Sequence, residues 1–173
     1  MRALRPDEIE VRVGTVGAKG VTLLLYKNAR VDRQILDETF GQMGWVNDYK
    51  ELKGNMYCGI GVYDSATGRT VWKWDCGTES NTEKEKGEAS DAFKRAGFRW
   101  GIGIELYTAP FIFLPVATNK VGTGYKMNDP YELRGAYVSR IATENGTINE
   151  LDISQGDTVI WSTNRRKVGT KNE

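Results

Sequence analysis

Three cations, Lys94, Arg95 and Arg99, fall within six residues near the end of one predicted helix. On a helical wheel, Lys94, Arg95 and Phe98 share the exposed face and Arg99 lies on its flank. Cations beside an exposed aromatic side chain suit a phosphate backbone with neighbouring bases, which makes this face a candidate site for single-stranded nucleic acid. The alternative is an ordinary solvated face, because acidic residues fill the first half of the helix and cations the second, as the helix dipole favours.

The composition excludes several kinds of catalytic chemistry. Histidine is absent from the 173 residues, so a Ser-His-Asp or Cys-His unit and a His-ligated metal are excluded. The two cysteines, Cys58 and Cys76, are too few for a cysteine-only zinc site. Lys and Arg number 24 against 23 Asp and Glu, so any affinity for nucleic acid depends on locally sorted cations. No apolar run reaches the ~20 residues of a membrane span, and we expect a soluble, intracellular protein.

Two other patterns favour structural roles over chemical ones. The run Gly14-x-x-Gly17-x-Lys19-Gly20 lacks the GxxxxGK[ST] order of a phosphate-binding loop and predicts a turn between strands. Scattered carboxylates keep a metal-dependent nuclease as an alternative, although most lie where solvated surface charge is expected. These carboxylates are Asp32, Asp37, Glu38, Asp48, Asp64 and Asp75.

The helix that carries the cations is predicted to begin at the capping box Thr82-x-x-Glu85 and to run to about Trp100. Small and apolar residues recur along it at helical spacing, which predicts close packing of this face against a sheet. These residues are Ala89, Ala92, Phe93, Ala96, Gly97 and Trp100. The cation-bearing face is therefore expected to point away from the core.

Periodicity and turn residues predict an α+β domain with the order β-β-α-β-β-β-α. An antiparallel meander is expected to pack on the long helix, and a C-terminal β-hairpin to turn at Asn145-Gly146. The predicted elements are strands 8–13 and 21–26, helix 29–40, meander strands 45–52, 56–64 and 69–76, a strand over 111–114 after the long helix, hairpin strands 131–142 and 147–153, and a strand over 158–161. We expect one domain over residues 1–162 and a basic polar tail over 163–173, which is either a frayed terminus or an arm that contacts DNA.

Matching apolar residues across the meander predicts its register. This matching pairs Val62 with Trp72, Ile60 with Trp74 and Cys58 with Cys76. The two cysteines would then be cross-strand neighbours, as reduced buried thiols or, alternatively, as a redox pair. The tryptophans of the meander and of the long helix are expected in the core.

The end of the long helix, Asp91-Ala92-Phe93-Lys94-Arg95-Ala96-Gly97-Phe98-Arg99-Trp100-Gly101, resembles a family signature. It is similar to the D-G-L-K-R-A-L-R-x-F-G segment of the Rad-fifty-two-type single-strand annealing proteins. The order around it is also similar: a helix that closes on Glu38-Thr39-Phe40-Gly41, then Gly44-Trp45, a three-stranded meander and the long helix. The resemblance covers roughly residues 8 to 115 and points to the phage branch of that superfamily, the Sak-type annealing proteins.

The resemblance implies a set of DNA-binding residues. Lys94 and Arg95 fall on the two adjacent helix cations of the family, whereas its next cation falls on Phe98, with Arg99 one place later. Arg99 is then expected to reach the DNA from the flank, or Phe98 to stack on a base. Three further basic residues fall near family positions in the first strand, at the hairpin tip and at the helix start: Arg12, Arg69 and Lys86.

The resemblance also implies the function. Such proteins bind single-stranded DNA, assemble as homo-oligomeric rings and anneal complementary strands in recombination and repair, without nucleotide hydrolysis, enzymatic turnover or a cofactor. The expected location is the cytoplasm of a bacterial host, without a membrane partner. Candidate partners beyond DNA and self are a phage or host single-stranded DNA-binding protein, a recombinase or an exonuclease. The rival hypotheses are a monomeric single-stranded DNA-binding protein without annealing activity and the metal-dependent nuclease.

Overall fold

The computed structural model describes residues 1–78 and 84–171, with the backbone alone for 84–86. Two α-helices and eleven β-strands within these residues form a mixed α+β structure, which confirms the predicted class. The chain divides into two compact units. The helix–meander unit comprises Met1–Ala3 and Lys27–Ile104, and the six-stranded unit comprises Leu4–Tyr26 and Glu105–Glu173. None of the described helices is both long and apolar enough to span a bilayer.

The two units are built from different helices and strands of the chain. In chain order the elements are β1 (Glu10–Gly17), β2 (Gly20–Tyr26), α1 (Ala29–Phe40), β3 (Trp45–Leu52), β4 (Asn55–Asp64), β5 (Arg69–Cys76), α2 (Lys84–Arg99), β6 (Ile112–Leu114), β7 (Thr118–Val121), β8 (Gly124–Met127), β9 (Tyr137–Glu144), β10 (Thr147–Gln155) and β11 (Thr158–Ser162). The helices and β3–β5 belong to the helix–meander unit, and the other strands belong to the six-stranded unit.

The helix–meander unit packs α2 across a three-stranded antiparallel sheet of order β3-β4-β5. Asn28 caps α1, since its side-chain oxygen accepts hydrogen bonds from the backbone N–H groups of Arg30 and Val31. The predicted capping box of α2 lies outside the described residues. The core between helix and sheet consists of buried apolar residues of α2 and β4: Ala92, Phe93, Ala96, Cys58, Ile60 and Val62.

The β4–β5 register differs by one residue from the prediction. Trp74 lies opposite Gly59 and Trp72 opposite Gly61, so the two glycines face indole rings. A Cβ atom at Gly59 would lie 2.4 Å from Cε2 of Trp74, which shows that the indole fills the space a side chain would need. Matching apolar residues fails here because glycine, without a side chain, is the better neighbour for a large ring lying on the sheet.

This register reverses the expected orientation of β5. Ile60 is buried against α2 and lies opposite Lys73, so Lys73 and Asp75 face the helix. Trp72 and Trp74 therefore lie on the opposite face, where their rings stack with centroids 5.6 Å apart. Trp72 is 38% exposed, so the prediction of a core position for it is wrong.

The two cysteines are not cross-strand neighbours. Cys58 lies opposite Asp75, and Cys76 lies opposite Tyr57. Because residues 75 and 76 point to opposite faces of β5, the two sulfur atoms are on opposite sides of the sheet, and both cysteines are free thiols. Burial raises the pKa of the Cys58 thiol to about 11, which makes it a poor nucleophile at neutral pH.

The six-stranded unit contains an antiparallel sheet of order β11-β10-β9-β1-β2-β6. β1 continues through Gly14 to Gly17, past the predicted end of the strand, with an irregular register between Val13 and Val16. β9 and β10 form a hairpin at Asn145-Gly146, where both residues have the positive φ that an Asn-Gly turn favours. β7 and β8 form a second, short hairpin that the sequence pattern did not predict.

The basic C-terminal segment, residues 163–171 of the predicted tail, is hydrogen-bonded to β11. The backbone N–H of Val159 donates to the carbonyl of Thr170 at 2.9 Å, and that of Gly169 donates to the carbonyl of Val159 at 2.7 Å. Arg165–Lys167 form one turn of 3-10 helix, with the side chain of Asn164 accepting from the backbone of Arg166. These bonds fix the backbone of the segment in place.

Candidate nucleic-acid interface

Two arginines of α2 converge on one carboxylate of β5. Arg95 and Arg99 lie one helical turn apart, so their side chains leave the same side of the helix. The Nε–H of Arg95 approaches Oδ1 of Asp75 at 3.3 Å, and the Nε–H of Arg99 approaches Oδ2 at 3.0 Å. The side chains of Arg95 and Arg99 are 43% and 61% exposed, whereas Asp75 is largely covered. The carboxylate therefore holds both guanidinium groups from below, at the surface of the unit.

The surroundings of Asp75 favour its ionised form. Burial opposes its charge, but the backbone N–H of Cys76, which donates to Oδ1 at 2.8 Å, and the two guanidinium groups outweigh burial. The pKa of Asp75 is consequently below its usual value. Among the described residues, the terminal amino groups of both arginines have no partner, because each uses only its Nε–H on Asp75. Those amino groups are two neighbouring sets of hydrogen-bond donors, and phosphate oxygens accept hydrogen bonds from such groups.

Lys73 adds a third cation, which the helical pattern of α2 does not predict. Its ammonium donates to the carbonyl of Arg99 at 3.0 Å and lies 4.2 Å from the centroid of the Trp100 ring. Lys73, Asp75, Arg95 and Arg99 are called the Asp75 cluster below; three cations and one carboxylate give it a local charge of +2. The available signal was the alternation of Lys73 and Asp75 with Trp72 and Trp74 along β5.

Lys94 lies beside the Asp75 cluster in sequence but does not join it. Its side chain is only 24% exposed, and its ammonium is 3.9 Å from Oδ1 of Asp91. The carbonyl of Lys94 accepts a hydrogen bond from the ammonium of Lys27 at 3.2 Å. Lys94 and Arg95, the adjacent cations predicted to act together, therefore lie in different surroundings.

Phe98 is half-buried instead of exposed. The ammonium of Lys27 lies 4.1 Å from the centroid of its ring, and Lys27 also forms a buried ion pair with Asp32 of α1. A Cβ atom at Gly97 would clash with Oδ1 of Asp32, so glycine at this position allows α2 to approach the ion pair closely. Because α2 lies so close to this ion pair, the ring of Phe98 is partly covered, although the helical wheel predicts that it is exposed.

The ion pair between Lys27 and Asp32 is deeply buried within the helix–meander unit. Burial raises the pKa of Asp32 to about 6, although the charges of Lys27 and Lys94 oppose this effect. Oδ2 of Asp32 is buried and has no hydrogen-bond partner among the described residues. Desolvation is therefore only partly offset at this carboxylate.

The remaining predicted residues lie elsewhere. Arg12 belongs to the six-stranded unit, where it pairs with Glu10 and lies 5.1 Å from the centroid of the Tyr26 ring. Arg69 begins β5 opposite Asp64 and is exposed. The backbone of Lys86 lies in α2, but its side chain is outside the described residues.

Comparisons with known proteins found no match to a family model, a curated protein or a solved structure. Within the described residues, no group of three or more His, Cys, Asp or Glu side chains is placed to hold a metal ion. The candidate site is therefore defined by its own geometry, which is a pair of arginines fixed on a largely covered carboxylate.

Proposed function

We propose that this chain is a single-stranded DNA-binding protein that anneals complementary strands as a homo-oligomer, without ATP. The observation that carries the proposal is the pair of guanidinium groups held by Asp75, whose terminal amino groups have no protein partner in the part of the chain that the structure describes. Such an arrangement binds phosphate oxygens with little loss of side-chain freedom, because both arginines are already fixed.

The chemistry of the Asp75 cluster suits annealing in particular. Contacts to phosphate position a strand without reading its sequence, and they leave the Watson–Crick edges of the bases free to pair with a second strand. Repetition of one cluster in each subunit of a ring would give cations at regular spacing along a strand. This explains how a chain with a net charge of only +1 can bind DNA.

The arrangement of elements supports the same proposal. The proposed annealing core is β-β-α-β-β-β-α, in which the meander packs on the helix that carries the cations, as the resemblance to annealing proteins implies. The outer face of the meander supplies a surface for a neighbouring subunit, since Val46, Tyr63 and Trp72 are exposed there. Apolar exposure of this kind favours association with another protein surface.

The test is a comparison of two double variants with the same change in charge. We expect Arg95→Gln with Arg99→Gln to weaken binding of a fluorescent dT oligonucleotide by at least roughly 100-fold at low salt, since each of the two charge-assisted hydrogen bonds is worth ~1.5–3 kcal/mol. The matched control is Arg30→Gln with Arg33→Gln, which removes two arginines from α1. Fluorescence anisotropy measures both affinities.

The same experiment separates the rival functions. Equal losses of affinity in the two double variants would show that only total charge matters and would contradict a specific site. A protein that binds DNA but remains a single chain in light scattering, and does not accelerate pairing of complementary oligonucleotides, is a monomeric binder. Degradation of the oligonucleotide on addition of Mg²⁺ or Mn²⁺ would instead identify a nuclease.

A further inference from the structure

A second cationic site lies in the six-stranded unit. A cleft of about 560 Å³ opens between strands β9–β11 and the C-terminal segment. Its charged lining residues are Arg140, Asp152, Lys167 and Lys171, and Tyr137 lies at its side. The volume falls within the range of ~300–1,000 Å³ that small-molecule sites occupy.

The cleft has a net positive charge. Its three cations and one carboxylate sum to +2, and the pairing of Arg140 with nearby Glu150 at 2.5 Å still leaves +1. Asp152 is buried and both of its oxygens are used: Oδ1 accepts from the hydroxyl of Ser162 at 2.5 Å and Oδ2 from the ammonium of Lys167 at 3.3 Å. Its negative charge is therefore largely compensated within the protein.

The fold fixes the two lysines that border the cleft. The backbone bonds between the C-terminal segment and β11 extend to an isolated bridge between Thr158 and Lys171. Lys167 is held by Asp152, whereas the ammonium of Lys171 has no partner among the described residues. A cation that is anchored through its backbone but unpaired at its end is available to a ligand.

We propose that this cleft binds the phosphate group of a nucleotide or of a polynucleotide strand. Lys171 and Lys167 supply ammonium donors, and Arg140 supplies the guanidinium N–H groups that it does not use on Glu150. The hydroxyl of Tyr137, at the side of the cleft, donates a hydrogen bond to the carbonyl of Gly156. The cleft belongs to a different unit of the chain from the Asp75 cluster and does not depend on the function proposed for that cluster.

The experiment titrates three probes: thymidine, thymidine 5′-monophosphate and a dT oligonucleotide. Calorimetry is used for the first two, and anisotropy for the third in the Arg95→Gln, Arg99→Gln background, which removes the Asp75 cluster. We expect binding to require phosphate, and Lys171→Met to weaken it roughly tenfold, as removal of one charge-assisted hydrogen bond implies. Lys120→Met, which removes an exposed lysine from β7 of the same unit, is the control and leaves affinity unchanged.

A second variant tests Lys167 without leaving a charged Asp152 unpaired. Lys167→Met combined with Asp152→Asn removes both members of the pair, and we again expect weaker binding of the phosphate probes. Binding of the monophosphate identifies a nucleotide site, and binding of the oligonucleotide alone identifies a backbone-phosphate site; both support the proposal. Equal binding of thymidine and its monophosphate, no binding of any probe, or wild-type affinity in both folded variants would overturn it. If the Arg95→Gln, Arg99→Gln variant binds the oligonucleotide as tightly as wild type, the function proposed for the Asp75 cluster fails, but the result with the monophosphate still tests the cleft.

Discussion

At the scale of single residues, Asp75 determines what the candidate interface can do. A carboxylate placed under two arginines reduces their net charge, but it also fixes their positions and directs their unused amino groups to solvent. Two solvated arginines would have to lose rotamer freedom on binding, at a cost of about 0.5–1.5 kcal/mol each. If the proposed function is right, the cluster therefore favours tight phosphate binding over a diffuse attraction.

The buried pair of Lys27 and Asp32 gives a prediction for stability against pH. The folded-state pKa of Asp32, about 6, is above the ordinary value of 3.8. Its contribution to stability is therefore complete below about pH 4 and is lost as the pH rises through 6. We expect this carboxyl to lower the free energy of unfolding by roughly 2.5 kcal/mol between pH 4 and pH 7.

Denaturant unfolding of wild type and of Lys27→Met with Asp32→Leu isolates that contribution. We expect the difference between the two proteins to change over this pH range, and the variant to be at least as stable at pH 7, since apolar replacement of buried ion pairs is commonly neutral or stabilising. Asp75, whose pKa is lowered, loses its contribution only in more acidic solution. Parallel pH profiles for the two proteins would refute the prediction.

Arg95 and Arg99 were identified from their spacing, whereas Lys73 and Asp75 were not. The first two lie on a helix whose apolar stripe sets its orientation, so the wheel predicts which residues face outward. The face of the sheet on which Lys73 and Asp75 lie depends on strand register, and an error of one residue in the register places both side chains on the opposite face. Phe98 was misplaced for a different reason, because its burial depends on contact with Lys27, far away in the sequence.

At the scale of elements, the contact between Gly59 and Trp74 holds the β4–β5 register. We expect Gly59→Ala to lower the free energy of unfolding by about 1–3 kcal/mol, because the new methyl group would overlap the indole. Gly17→Ala in β1 is the control, as the nearest atom to its added Cβ would be 3.8 Å away.

Thermal melts of both variants measure the effect. Adding Trp74→Leu to Gly59→Ala should recover part of the stability, since the smaller side chain makes room for the methyl group. A melting temperature for Gly59→Ala equal to that of wild type would show that the packing of the Trp74 indole does not require glycine at position 59.

The kinds of element were more predictable than their pairing. Asn28 caps α1, and Ala92 and Ala96 of α2 are buried, because both features depend on local spacing. Strand pairing is set by residues far apart, such as Val21 opposite Leu114. No local pattern indicates that Gly59 and Gly61 accommodate two tryptophans, since glycine is also a common residue of turns.

At the scale of the whole molecule, the proposal predicts a link between assembly and salt-sensitive binding. We expect wild type to scatter light as an oligomer well above its chain mass of 19.4 kDa, and the Arg95→Gln, Arg99→Gln oligomer to have the same size. A plot of log affinity against log salt should be less steep for the variant, by ~0.7–1 for each phosphate that the variant no longer neutralises. A single-chain mass for wild type would refute the oligomer, and an unchanged slope would refute binding of phosphate by these arginines.

The division of the chain has a consequence for synthesis on the ribosome. All of the helix–meander unit except Met1–Ala3 is one continuous stretch, residues 27–104. The β1–β2 hairpin emerges earlier and later pairs with strands 93 residues (Val21 to Leu114) and 127 residues (Glu10 to Tyr137) further along. Closing loops of that length is slow and entropically costly. The nascent polypeptide can therefore complete most of the helix–meander unit while the β1–β2 hairpin still lacks β6 and β9. The edges of this hairpin stay unpaired during that interval and are exposed to aggregation.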